Sequence, residues 1–185
     1  MSYINNHDGT EFDYANPTPD MVTVFDIALS LSRVPRFMGK TRPSDCMYSV
    51  GQHSVLGSIV IEKFLNGTLQ DAYDFLFHDA AEAYICDLPS PAKSLCFDYK
   101  ELERNILINA IAPALNIIYP FNSVVKGADL IMRETEKRDL FDFDFKKGRE
   151  GCKPFDCLKI RPWDEFKTRK IFIDRFNYLR RILNG

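Results

Sequence analysis

The chain has 185 residues, 45% hydrophobic and 13% aromatic, which is enough apolar material to fill one domain core and too much for a disordered chain. Its 24 Lys and Arg against 26 Asp and Glu leave a formal charge of −2, so there is no bulk positive field to hold a nucleic-acid polymer. The most apolar stretch, residues 106–121, is interrupted by Asn109, Pro113, Asn116 and Pro120, so no membrane partner is expected.

The amino terminus has no basic region followed by an apolar run, so neither secretion nor organelle import is expected. Asp8-Gly9, set between Tyr3-Ile4 and Phe12-Tyr14, predicts a small β-hairpin, and Pro17-Thr18-Pro19 then predicts a loop. From Thr23 the period becomes helical. Val24, Ile27, Ala28 and Leu31 recur on one face behind a Thr23/Asp26 cap, and this helix stops near Pro35.

Ser49 with Gln52 opens a second helix running to about Leu65, and Thr68 with Asp71 opens a third through Cys86, ended by Asp87-Leu88-Pro89-Ser90-Pro91. A fourth is expected from Asp98 to Pro113 and a fifth from Ser123 through Leu140. The last begins at Pro162, with Phe172, Phe176, Leu179 and Leu183 on its buried side. The alternation from Phe141 to Phe145 has a strand period but runs into Lys146-Lys147-Gly148, so 141–161 has no single reading. The fold class expected is mainly α: one antiparallel helical bundle with an N-terminal β appendage over residues 1–20.

Five cysteines, an odd number without CxxC spacing, argue against a disulfide framework or a zinc ribbon and fit a reducing cytoplasm. There are three histidines. His7 falls in the hairpin turn and reads as a solvated side chain. His78, Asp79 and Glu82 fall on one flank of the predicted third helix, among Ala72, Phe75, Leu76 and Ala83. A carboxylate in that stripe requires a compensating cation. Asp129 interrupts the stripe of Val125, Ala128 and Met132 in the same way.

His53, His78, Asp79 and Asp129 are together four nitrogen and oxygen donors of the type that bind one divalent transition metal. Spacing alone leaves the alternative open that His53 is a satisfied core histidine, Asp79 pairs with an arginine and Asp129 lies on the surface. Arg33, Arg36, Lys40 and Arg42 read as a solvated basic face, and Phe141, Phe143 and Phe145 as packing residues.

Four blocks in order carry a resemblance: Tyr48-Ser49-Val50-Gly51-Gln52-His53-Ser54, His78-Asp79-Ala80-Ala81-Glu82-Ala83-Tyr84, Asp87-Leu88-Pro89-Ser90-Pro91-Ala92-Lys93 and Lys126-Gly127-Ala128-Asp129. From about Asp20 to Leu140 the chain resembles the HD-domain metal-dependent phosphohydrolases, in the branch of bacterial 5′-deoxynucleotidases and their phage and prophage relatives. That branch is in turn similar to phage dATP triphosphohydrolases. The resemblance implies an HD-type helical bundle in which His53, His78, Asp79 and Asp129 bind the metal and Glu82 handles protons at the attacking water.

It further implies that Arg36 contacts phosphate, that Lys93 and Lys126 lie near the phosphates, that Pro91 lines the base pocket and that Asp87 binds nucleotide. Phe37 stands where the family has tryptophan, which keeps a flat apolar wall and removes the indole N–H. One divalent ion is expected, Zn, Mn, Co or Fe, with Mg also compatible. By resemblance the substrate is a deoxynucleotide, the assembly a homo-oligomer and the location a bacterial cytoplasm, that of the host if the chain is phage-encoded.

The reaction so implied is release of phosphate from a deoxynucleoside 5′-monophosphate. The alternatives are release of triphosphate from a dNTP and a catalytically silent nucleotide-binding module. With no histidine beyond His7 to recruit, a dinuclear site is disfavoured, and Ala83 in place of an aspartate weakens an alarmone-hydrolase reading.

Overall fold

The computed structural model describes residues 2–142 and 152–185. The chain is mainly helical with one two-stranded antiparallel hairpin, as its patterning predicts. Strands β1 (Tyr3–Asn5) and β2 (Glu11–Asp13) pair with Ile4 opposite Phe12. Phe12 is fully buried and stacks on Tyr84 at 3.9 Å, which ties the hairpin to the helical core.

The helices are α1 (Val24–Leu31), α2 (Val50–Phe64), α3 (Leu69–Leu76), the short α4 (Glu82–Ile85) and α5 (Ser90–Lys93), α6 (Phe97–Ile106), α7 (Ala112–Leu115), α8 (Ser123–Leu140) and α9 (Glu165–Leu183). Three starts follow the expected local chemistry. The side chains of Thr23, Ser49 and Thr68 accept the backbone N–H three residues on, and Thr68 with Asp71 forms a full capping box.

Helix α2 occupies the centre, with α3, α8 and α9 packed around it. Most of its residues are buried, so its polar side chains must find partners inside. Gln52 donates to the Arg161 carbonyl at 2.8 Å and accepts from the Trp163 N–H at 2.8 Å, while Ser58 donates to the Ala72 carbonyl at 2.6 Å.

Several expected boundaries are corrected. The helix from Thr68 does not reach Cys86; α3 ends at Leu76. The Phe75 carbonyl, which a continuing helix would offer to the N–H of Asp79, instead accepts from the His78 N–H at 3.3 Å and from His78 Nδ1 at 2.7 Å. Tight three-residue bonds follow, Ala80 N–H to Phe77 and Glu82 N–H to Asp79, each at 3.0 Å. His78 and Asp79 therefore sit in a turn and not on the flank of a helix.

The helix from Phe97 passes Pro113 through a π turn over Leu107–Ile111, and Asn116 closes it in the left-handed conformation. A π turn accommodates the missing proline N–H where a regular ladder would lose a bond. Helix α8 is capped by Asn122, and α9 begins at Glu165 behind Asp164, because each of these side chains reaches a free backbone N–H. Pro162 lies before that cap, and Leu183 is exposed. Pro19–Met21 form a single 3-10 turn within the expected loop.

Phe141 and Asp142 are not in a strand, and the rest of the phenylalanine alternation lies outside the described residues. The following segment runs along α8, where the Phe155 N–H donates to Thr135 Oγ1 and the Ile160 N–H to Asp139 Oδ2, both at 2.8 Å.

Candidate metal centre and cleft

Three elements bring the expected donors together. His53 comes from the buried first turns of α2, His78 and Asp79 from the turn after α3, and Asp129 from the second turn of α8. The Nε2 atoms of His53 and His78 face each other at 3.3 Å. Asp129 Oδ1 lies 3.4 Å from the first and 4.0 Å from the second. Asp79 Oδ2 lies 3.2 Å from His78 Nε2 and 3.9 Å from His53 Nε2.

His53, His78 and Asp129 form a group able to hold a metal ion, with their donor atoms all within 4.8 Å of one another. Donors about 3.3 Å apart are what a tetrahedral ion with metal–nitrogen distances of about 2.05 Å would span.

The far side of each ring decides what the facing nitrogens can be. His78 Nδ1 lies 2.7 Å from the Phe75 carbonyl, which only accepts, so that nitrogen carries the proton. His53 Nδ1 lies 2.5 Å from Glu136 Oε1, and both side chains are fully buried. With Nδ1 donating in both rings, the two Nε2 atoms are the ones that face each other, beside two carboxylates, and a cation between them would satisfy all four groups.

The surrounding charges point the same way. Burial and the Arg36 charge oppose protonation of His53, but Glu136 and Asp129 outweigh them and push it up to about 9. Burial works against the ionised forms of Asp79 and Asp129. The histidines and Arg36 nevertheless hold both well below the usual carboxylate range.

Arg36 supplies the cation beside Asp79, with Nη1 at 3.2 Å. The same guanidinium also serves Glu136 at 3.3 Å and approaches Asp129 at 4.0 Å. Three carboxylates around one guanidinium leave an excess of negative charge, which the raised His53 offsets in part and a bound cation would neutralise.

A cleft opens beside this cluster, walled by Arg36, Phe37, Asp87, Lys93 and Arg133 with Glu82 at its base. Glu82 is 3% exposed; its Oε1 accepts from Lys93 Nζ at 3.3 Å, and its Oε2 is buried without a hydrogen-bond partner. Burial, followed by the charges of Asp79 and Asp87, raises the Glu82 carboxyl well above its ordinary range. Lys93 also binds Glu103 at 2.7 Å. Burial lowers Lys93 and the two glutamates raise it, with a net rise. Asp87 is raised, chiefly by burial.

Two backbone distortions shape the walls. Phe37 and Met38 adopt φ of 55° and 57°, a left-handed turn that carries the Phe37 ring to an edge contact with Phe141 at 5.3 Å. Cys86 has φ 64° and ψ 166°, and it turns the chain so that Asp87 lines the cleft.

Not every expected residue arrives. Lys126 and Pro91 are exposed and do not line the cleft. Lys126 falls on the solvent side of α8 next to buried Val125, and it is Ser90 and Lys93 of α5 that face inward. Of the basic cluster, Arg33, Lys40 and Arg42 are exposed, whereas Arg36 is only 12% exposed. His7 is not merely solvated, since its Nδ1 lies 2.6 Å from the buried Asp26 carboxylate.

No family model matches the chain. Over 182 residues, which is 97% of this chain and 96% of the relative, it is 37% identical to the uncharacterized protein YfdR of Escherichia coli strain K12. The chain belongs to the YfdR family. It is also 28% identical over 195 residues to the uncharacterized protein RCAP_rcc00048 of Rhodobacter capsulatus, covering 96% of this chain and 95% of that one. The likeness to YfdR spans the hairpin, the cluster and α9 alike, since almost the whole of each chain is aligned.

In this YfdR-family chain the residues that sequence reasoning missed are Glu136, Tyr48 and Arg133. Tyr48 donates to Glu136 Oε1 at 2.8 Å, so this one carboxylate gathers Tyr48, His53 and Arg36. Spacing could have found Glu136: it follows Asp129 by seven residues, two helical turns, and therefore shares its face. Arg133, four residues after Asp129, shares that face too.

Proposed function

We propose that the chain is a divalent-metal-dependent phosphohydrolase of deoxynucleotides, releasing phosphate from deoxynucleoside 5′-monophosphates. The observation that carries this reading is the pair of facing imidazole Nε2 atoms, 3.3 Å apart and flanked by Asp79 and Asp129, at the edge of a cleft that also holds a buried, unpartnered carboxylate oxygen of Glu82. The four-block resemblance supplies the substrate class.

His53, His78, Asp79 and Asp129 would hold the ion, and a mixed nitrogen and oxygen set suits Zn, Mn, Co or Fe, with Mg also compatible. A divalent ion in such a site acidifies water and offsets charge on phosphate oxygens. The chain's own groups do the rest. Glu82 Oε2 has no competing donor and is the group to take a proton from the attacking water.

Lys93 holds Glu82 in place through Oε1 while standing at the cleft wall as a cation. Arg36 fixes Asp79 and the second layer at Glu136, keeping the ligands preorganised. Phe37 gives an apolar face against which a sugar or base can lie, and Asp87 opposite it can accept from a substrate hydroxyl or amino group.

Incubating the protein with each dNMP and dNTP, with Mn, Co, Zn or Mg, and identifying products tests the reading. Inorganic phosphate from dNMPs, abolished by Glu82→Ala, is expected. Tripolyphosphate from dATP would move the reaction to a triphosphohydrolase. Nucleotide binding without turnover under any metal would make the chain a binding module.

A further inference from the structure

The cations that wall the cleft are unequally committed. Arg36 spends both terminal nitrogens on Asp79 and Glu136, and Lys93 spends its ammonium on Glu82 and Glu103. Arg133 lies on α8 one turn beyond Asp129 and lines the same cleft. Its side chain is 17% exposed, and its Nε comes only within 3.7 Å of Glu134 Oε1, an oxygen that Lys137 already occupies at 2.8 Å. Its Nη2 is buried and, among the described residues, has no hydrogen-bond partner.

A guanidinium N–H held from water without an acceptor is costly, and the cost is recovered when a ligand oxygen arrives. The acceptor geometry that a guanidinium matches best is a pair of oxygens on one carboxylate or phosphate. Among the described residues none of the carboxylates that line the cleft, Asp79, Glu82, Asp87 and Asp129, forms an ion pair with Arg133.

We propose that Arg133 is the anion-binding residue of the cleft, the group that grips a phosphate lying beside Asp129, in the part that resemblance assigns to Lys126. The proposal rests on the reading of the cleft as a substrate site, and it names the ligand class as a phosphate monoester or its inorganic product. Because Arg133 and Asp129 project from one helix face four residues apart, the grip on phosphate and the grip on a cation are set by the same rigid element. Arg36 and Lys93 then act mainly on the protein's own carboxylates.

Calorimetric titration of inorganic phosphate into the full-length protein, with and without Mn²⁺, tests this for the wild type, Arg133→Gln, Arg133→Lys and Lys126→Gln. Arg133→Gln is expected to weaken phosphate binding roughly 10- to 100-fold, the loss of a charge-assisted pair. Arg133→Lys should recover part of it, and Lys126→Gln should bind as the wild type does. Bound Mn²⁺ and the unfolding midpoint, measured in parallel, should be the same in all four.

Unchanged phosphate affinity in Arg133→Gln, an equal loss in Lys126→Gln, or a wild type that binds no phosphate under either condition would overturn the proposal. An Arg133-dependent phosphate site in a protein that hydrolyses no deoxynucleotide would instead leave it standing and overturn the proposed function.

Discussion

Glu136 holds His53: its Oε1 accepts from Nδ1 at 2.5 Å, with both side chains fully enclosed, and Nε2 is thereby turned toward His78. A carboxylate behind a ligating imidazole fixes the ring's tautomer and orientation and makes the far nitrogen a stronger donor. Glu136→Gln keeps an acceptor but removes the charge, and it should weaken metal affinity by roughly 10–100-fold in a chelator competition assay. Glu136→Ala should cost about 3–5 kcal/mol in urea unfolding, because Arg36, His53 and Tyr48 would each lose a buried partner. Metal affinity equal to wild type in Glu136→Gln would remove the second layer from the account.

Gly57 touches the site through Phe75. A Cβ at Gly57 would stand 2.0 Å from Phe75 Cε1, and the Phe75 ring lies 4.3 Å from the His78 ring and 5.4 Å from that of His53. In an unconstrained helix, glycine to alanine would gain about 0.5–1 kcal/mol. Here Gly57→Ala should instead destabilise by about 1–3 kcal/mol, as overpacking does, and should lower the metal retained after dialysis. A higher unfolding midpoint would show that the contact is looser than described.

Cys86 carries a backbone conformation suited to glycine, φ 64° and ψ 166°, and its side chain is exposed. Such strain costs about 1–3 kcal/mol in a residue with a Cβ, more than the chain entropy a glycine adds. Cys86→Gly should therefore raise stability by about 1 kcal/mol while Asp87 stays at the cleft. A drop in the unfolding midpoint would contradict this.

Arg175 fastens α9 to α2 at a distance from the cleft. Its Nε donates to Ser58 Oγ and its Nη2 to the Ser58 carbonyl, both at 2.9 Å, while Nη1 pairs with Glu62. Arg175→Ala should lower stability by about 3 kcal/mol, since it takes from Ser58 and Glu62 the cation that binds both. Metal affinity, measured well below the unfolding temperature, should not change, because no cluster residue bonds to Arg175. A matching loss of metal would mean that α9 helps to build the site.

The parts of this structure that could be read from the sequence are those decided within one helical turn or by a polar residue breaking an apolar stripe. Thr23, Ser49 and Thr68 cap helices through bonds that span three residues, so their signals are local. Asp79 and Asp129 stand out because each interrupts a stripe of apolar positions.

The end of α3 was not legible, since it depends on the His78 ring claiming the Phe75 carbonyl, and nothing in an apolar period announces that bond. Glu136 was hidden for another reason. It sits among Arg133, Glu134, Lys137 and Arg138, a charge run that reads as a solvated face, although Glu134, Thr135 and Glu136 are all buried. Lys126 was misplaced because a resemblance carries residue types by position and says nothing about which side of α8 faces water.

The most direct measurement is anomalous diffraction from crystals soaked in Mn²⁺ or Co²⁺. A single anomalous peak within bonding distance of His53 Nε2, His78 Nε2 and carboxylate oxygens of Asp79 and Asp129, lost in His53→Ala, is the result predicted. Crystals with no peak between the two imidazoles, or with ions only at surface carboxylates, would contradict it.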